Sequence, residues 1–95
     1  MNDMPAVTHN SAASRFEMHT TAGLAILDYV LHGQRIDFVH TGVPKAAEGK
    51  GYGTALAQAG LEHARDNGLS VTPTCPFVRA FIDSHSEFQS LVAPA

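Results

Sequence analysis

Glu48-Gly49-Lys50-Gly51-Tyr52-Gly53-Thr54 runs without a break into residues 55–67, a stretch with helical spacing. Glycine at every second position lets the backbone turn tightly and gather several N–H groups at one place, with no Cβ to hold a ligand off. The helix that follows brings its own unpaired amides and the positive end of its dipole to the same corner. A phosphate or pyrophosphate is the natural guest there, and Lys50 adds a mobile positive charge. Two familiar phosphate loops do not fit. A Walker loop needs Lys and then Ser or Thr directly after its last glycine, whereas Lys50 comes early and only Thr54 follows Gly53. A dinucleotide fingerprint needs G-x-G-x-x-G, and the glycines here stand at 49, 51 and 53. The spacing alone is equally compatible with a tight turn before an ordinary surface helix.

Upstream of this loop the pattern is that of strands. Residues 1–14 are rich in Ala, Ser, Thr and Asn without an apolar period, and we expect a loose extension there. Phe16, Met18 and Thr20 alternate with Glu17 and His19, a half-buried strand closed by Thr21-Ala22-Gly23. In residues 24–31 Leu24, Ile26 and Val30 fall on one side and Ala25, Leu27, Tyr29 and Leu31 on the other, so both faces are expected to be covered. Gly33-Gln34 marks a hairpin into a third strand over residues 35–43, with Ile36, Phe38 and His40 expected on one face. Pro44 ends that strand because it offers no N–H.

Downstream, Leu56, Ala57, Gly60, Leu61 and Ala64 form one apolar helical stripe facing a sheet, stopped by Asn67-Gly68. Residues 69–74 alternate as a fourth strand, in which Pro73 requires an edge, a bulge or divergence from the neighbour. Cys75-Pro76 opens a second helix with Phe77, Val78, Phe81 and Ile82 on its apolar face, and Phe88, Leu91 and Val92 close the chain. The elements predict one α/β (α+β) domain over residues 15–95.

Composition sets the frame. The chain has 95 residues, so it buries only a little over ~60% of its unfolded surface and its core must be small. An apolar fraction of 44% with 16% charged residues is globular, and a net charge of −3 gives no reason to expect nucleic-acid binding. The longest apolar runs fall short of a membrane span, no signal sequence is evident, and the one cysteine suits a reducing compartment; the expectation is a cytoplasmic protein with no membrane partner. His9, His19, His32 and His63 have no paired ligand spacing, and no metal is expected.

The glycine loop resembles the coenzyme A pyrophosphate loop of the GNAT acetyltransferase superfamily, Q/R-x-x-G-x-G/A. Several further stretches in one order, His40-Thr41-Gly42-Val43-Pro44, Ala64-Arg65-Asp66-Asn67-Gly68, Pro73-Thr74-Cys75-Pro76-Phe77-Val78-Arg79 and His85-Ser86-Glu87-Phe88, are similar to the small GNAT-like (CG-type) N-acetyltransferase family from about Phe16 to Leu91. The resemblance implies a reduced GNAT-like fold, a mostly antiparallel sheet with splayed central strands and two helices. It implies acetyl-CoA as cosubstrate, its pyrophosphate on Gly49, Lys50, Gly51, Tyr52, Gly53 and Thr54, and its pantetheine arm paired with Thr41, Gly42 and Val43 and lined by Cys75 and Phe77. Three positions depart from the family habit: Glu48 replaces Gln or Arg, Gly42 replaces the acid that often precedes Val-Pro, and Phe88 replaces a tyrosine.

Acetyl transfer to an amine needs a neutral nucleophile, polarisation of the thioester carbonyl and a proton for the departing thiolate. Only Tyr29 and Tyr52 carry phenols, and neither lies on the last helix. Cys75, at a helix N-terminus, is a candidate to donate to the leaving sulfur or to accept the acetyl group; the alternative is a small buried residue packing against the pantetheine arm. His40 is the candidate base, or else a histidine that hydrogen-bonds the loop. So short a chain leaves the acceptor groove shallow, which suits a protein or peptide amine, in a monomer or a homodimer. The competing expectations are a non-catalytic acyl-CoA-binding module and a simple nucleotide-phosphate binder.

Overall fold

A computed structural model describes residues 4–94. Strands β1 (Thr8–Asn10), β2 (Arg15–Thr20), β3 (Gly23–His32) and β4 (Arg35–Gly42) precede helix α1 (Tyr52–Asp66), strand β5 (Ser70–Pro73) and helix α2 (Pro76–Asp83). Short 3-10 turns occupy Ser11–Ala13, Lys45–Ala47 and Ser86–Leu91. The five strands form one sheet in chain order, antiparallel from β1 to β4 and parallel between β4 and β5. A parallel neighbour demands a crossover, and α1 supplies it.

Period-two alternation sends Phe16 and Met18 of β2, Ala25, Leu27 and Tyr29 of β3, Ile36 and Phe38 of β4, and Val71 of β5 into one core. The stripe Leu56, Ala57, Leu61 and Ala64 of α1 meets them, and Val78, Phe81 and Ile82 of α2 with Phe88 complete the cluster. Gly60 lies in the middle of that stripe. A Cβ there would stand 2.9 Å from Leu27 Cδ2 and 2.9 Å from the Phe38 ring, so the missing side chain is what lets α1 lie down on the sheet.

Three expectations are corrected. Only one face of the sheet is covered: Leu24 and Val30 remain exposed, because α1 and α2 pack on each other over the opposite face. His40 does not share a face with Ile36 and Phe38. The β3–β4 register pairs Asp28 with His40 but Tyr29 with Phe38, so Val39 is an extra residue and the bulge turns His40 over to the uncovered face. Residues 8–14 are not loose. Thr8–Asn10 pairs with β2, and polar and aromatic contacts rather than apolar alternation hold it. His9 stacks on Phe16 with ring centroids 4.3 Å apart and shares a hydrogen bond of 2.7 Å with the Tyr29 hydroxyl. Asn10 donates to Glu17, which is 6% exposed and also bound by Arg15. Residues 1–3 of the expected extension lie outside the described residues.

Candidate functional site

The β4–β5 ladder stops early. Its last pair is Phe38 with Pro73, and the Cys75 amide still donates to the Phe38 carbonyl at 2.8 Å. Pro73 has no N–H to continue, the chain turns at Cys75, and α2 starts at Pro76 with its fixed helical φ. β4 runs on to Gly42 paired with β3 alone. The outer edge of β4 beyond Phe38 therefore faces no strand, the Cys75 sulfur being the group that meets it at Thr41, and an extended chain could pair along the rest of it.

The opening beside that edge is closed at its far end by the glycine loop. Gly49 and Gly51 have φ of 82° and 86°, and Gly51 is the residue that caps α1. Its cap carries no side chain, and the first intrahelical bond is from Ala55 N–H to Gly51 O at 3.0 Å. The amides of Tyr52, Gly53 and Thr54 precede that bond, so they have no acceptor inside the helix. All three residues line a cavity of 360 Å³.

Of the residues expected at the cofactor, Thr41, Val43, Gly49, Gly51, Tyr52, Gly53, Thr54 and Phe77 line this cavity. Phe77, 43% exposed, forms one wall, with its ring against Gly53: a Cβ on that glycine would come 3.0 Å from the ring. Lys50 and Gly42 are not in the lining. Two lining residues escaped the expectation for the cofactor, Ala47 and Glu48. Ala47 is buried in the turn Lys45–Ala47, whose register no sequence signal fixes.

Cys75 lies behind the lining, 4% exposed. Its Sγ is 3.4 Å from Thr41 Oγ1, and either atom can donate. Burial pushes the thiol up, but the Thr41 hydroxyl outweighs it together with the amides of Val78, Phe77 and Thr41, and the thiol stays below its ordinary value. The α2 amides face the sulfur without closing a capping hydrogen bond on it. Thr41 thus stands between Cys75 and the cavity. His40 is on the other side of β4, exposed, with Nε2 3.2 Å from where a Gly42 Cβ would be. Cys75 and His40 flank the strand from opposite faces rather than meeting in one pocket.

His85 is structural: Nδ1 is 2.7 Å from the Phe81 carbonyl and the ring stacks on Phe81 at 3.8 Å. Among the described residues no group of three or more His, Cys, Asp or Glu side chains is placed to hold a metal ion. No helix among them is long and apolar enough to cross a membrane.

A parallel strand pair that parts beside the amide-lined start of its crossover helix, in a five-stranded mixed sheet, defines a GNAT-like fold. The NMR solution structure of a GCN5-like protein from Staphylococcus aureus superposes with a TM-score of 0.74, covering 99% of this chain and 93% of that one at 24% identity. Residues 15–91 match the model of the GCN5-related N-acetyl-transferase family. The chain belongs to that family and is an N-acetyltransferase by class.

Proposed function

We propose that the protein transfers the acetyl group of acetyl-CoA to the primary amine of a peptide or protein. The observation that carries this reading is the coincidence of an unpaired strand edge and an uncapped helix N-terminus at the two ends of one cavity. A diphosphate suits the amides of residues 52–54, since partial positive charge and aligned donors converge there. Extended pantetheine amides suit the free edge of β4 at residues 41–43, where they replace the missing β5 ladder. Glu48 is exposed at the cavity rim, so its charge can turn to water and away from the diphosphate.

The chemistry follows from the placement of Thr41 and Cys75. The amine nitrogen attacks the thioester carbonyl carbon, the carbon–sulfur bond breaks, and the thiolate leaves needing one proton. Thr41, Tyr52 and Thr54 carry the hydroxyls of the lining, and Thr41 Oγ1, at the strand end and 3.4 Å from Cys75 Sγ, is the one we assign to that proton, with Cys75 behind it replacing what Thr41 gives up. Cys75 then regains a proton from solvent as the amine releases one, so the sum is amine plus acetyl-CoA giving amide plus coenzyme A. The lowered thiol pKa favours that donation.

Calorimetric titration with acetyl-CoA, followed by release of free thiol across a panel of amines, tests the reading. Binding with 1:1 stoichiometry and amine-dependent thiol release are expected. Binding without release faster than buffer would reduce the protein to an acyl-CoA-binding module. Equal competition by adenosine triphosphate would reduce it to a nucleotide-phosphate binder.

A further inference from the structure

The segment that leads into β1 touches α1 at both ends of the helix. Met4 Cε stands 3.6 Å from where a Gly51 Cβ would be, against the residue that caps α1. Near the other end the His9 ring meets the His63 ring edge-on, with centroids 4.5 Å apart. From Gly51 to His63 a helix rises about 18 Å, and the stretch from Met4 to His9 spans about 17 Å when extended, so one segment lying along α1 bridges the two contacts. Between them Val7 packs against the core. β1 is tied down by its pairing with β2, by the stacking of His9 on Phe16 and by the bond to the Tyr29 hydroxyl. The glycines of the phosphate loop gain from such a support, because glycine loses more backbone freedom on ordering than any other residue. A Cβ on Gly49 would meet nothing within 4 Å, whereas Gly53 leans on Phe77 of α2 and Gly51 on Met4. Met4 is outside the cavity lining, so what it does there it does through Gly51.

Resting on the acetyl-CoA reading, we infer that residues 4–10 are a strap that holds the phosphate loop in its binding conformation, with Met4 as a positioning residue for the diphosphate and His9 as the anchor of the far end. Restricting Gly51 in the free protein fixes the peptide between Gly51 and Tyr52, whose N–H is the first of the three amides left without a helical acceptor. That restriction lowers the entropy that cofactor binding has to remove. The thioether suits the place: unbranched and polarizable, it settles on bare backbone that offers no side chain to interlock with. The strap is in position before the cofactor arrives, so it acts on affinity and not on the transfer step, which belongs to Thr41 and Cys75 at the strand end of the cavity.

Calorimetric titration of coenzyme A into the parent, Met4→Ala, Met4→Leu and His9→Ala tests the strap. Met4→Ala should weaken binding by about fivefold or more, the low end of coupling between separate sites, and Met4→Leu should recover most of the loss. His9→Ala, remote from the cavity, should weaken binding as well, and the double variant should be little worse than either single one, since both release the same strap. In turnover the KM for acetyl-CoA should rise in these variants while kcat holds. Parent affinity in Met4→Ala, or additive losses in the double variant, overturns the proposal. Amide spectra of the free protein decide it without cofactor: the heteronuclear NOE of Gly51 and Tyr52 should fall in Met4→Ala and stay at the parent value in Met4→Leu, and an unchanged NOE in Met4→Ala overturns the strap. A parent that binds no coenzyme A would sink the acetyl-CoA reading, while these spectra would still decide this one.

Discussion

Replacing Gly60 by alanine pits two effects of opposite sign against each other at the centre of the fold. Alanine is the better helix former by about 1 kcal/mol in a helix interior, so propensity alone would stabilise α1. The new methyl carbon would meet Leu27 Cδ2 and the Phe38 Cε1 at 2.9 Å and Phe38 Cζ at 3.0 Å. Carbon atoms prefer about 3.5–4.0 Å, and both neighbours are fully buried, so neither can swing away. Overpacking of this kind costs about 1–3 kcal/mol. With three close contacts we take the upper end, which leaves a net loss of about 2 kcal/mol. For a chain of this size that is a fall in Tm of roughly 8–16 °C by thermal unfolding followed by circular dichroism. Gly53→Ala is the contrast, because its new Cβ meets only the ring of Phe77, which is 43% exposed and free to move. Its Tm should hold or rise, while the displaced ring narrows the cavity and weakens acetyl-CoA binding. A Gly60→Ala variant as stable as the parent would refute the claim that this glycine sets the distance between α1 and the sheet.

Other outcomes follow from the same geometry. Gly51→Ala meets no clash, its nearest atom being Met4 Cε at 3.6 Å; with φ of 86° it should still lose about 1–2 kcal/mol to left-handed backbone strain and several-fold in acetyl-CoA affinity by calorimetry. Thr41→Val and Cys75→Ala should each lower kcat by about 10²-fold, with the double variant little worse than either, since both remove one proton route; additive losses would show that the two act separately. The Arg15 and Asn10 hydrogen bonds, against the opposing effect of burial, hold the Glu17 carboxyl below the usual carboxylate range. Its contribution to stability is then complete above the unfolded carboxylate pKa of about 4.3 and is lost as pH falls below it. Urea midpoints for Glu17→Gln should consequently vary less with pH over that acid range than those of the parent. Burial, and then the neighbouring His63, depress His9, so its share is present above about pH 6.5 and lost as pH falls through its lower folded value; His9→Gln should flatten that part of the curve.

Much of the fold is legible because each level of the sequence agrees with the next. The stripe from Leu56 to Ala64, the stop at Asn67-Gly68 and the Pro76 start locate the helices, and Pro73 foretells where the parallel ladder ends. The glycine loop is legible too, as Gly49 and Gly51 do adopt the left-handed backbone that only glycine takes without strain. What stays hidden is whatever a single extra residue decides. Val39 breaks the alternation by following Phe38 directly, but an exposed valine in an unbroken strand would read the same way, so the sequence does not mark the bulge that carries His40 to the other face. Strand β1 is hidden for a different reason. His9 and Asn10 attach it through Phe16, Tyr29 and Glu17, partners between 7 and 20 residues away that hydrophobic periodicity cannot register. The contact between Thr41 and Cys75 likewise joins residues 34 apart and emerges only once β4 and α2 are packed.

The central claim is that one cavity serves a diphosphate at the start of α1 and an extended thioester arm along the end of β4. Backbone amide spectra of ¹⁵N-labelled protein titrated with acetyl-CoA test it residue by residue. The account predicts saturable shifts at Gly49, Gly51, Tyr52, Gly53 and Thr54 together with Thr41 and Val43, and little change at β1. Shifts confined to other surfaces, or none up to millimolar cofactor, would contradict it.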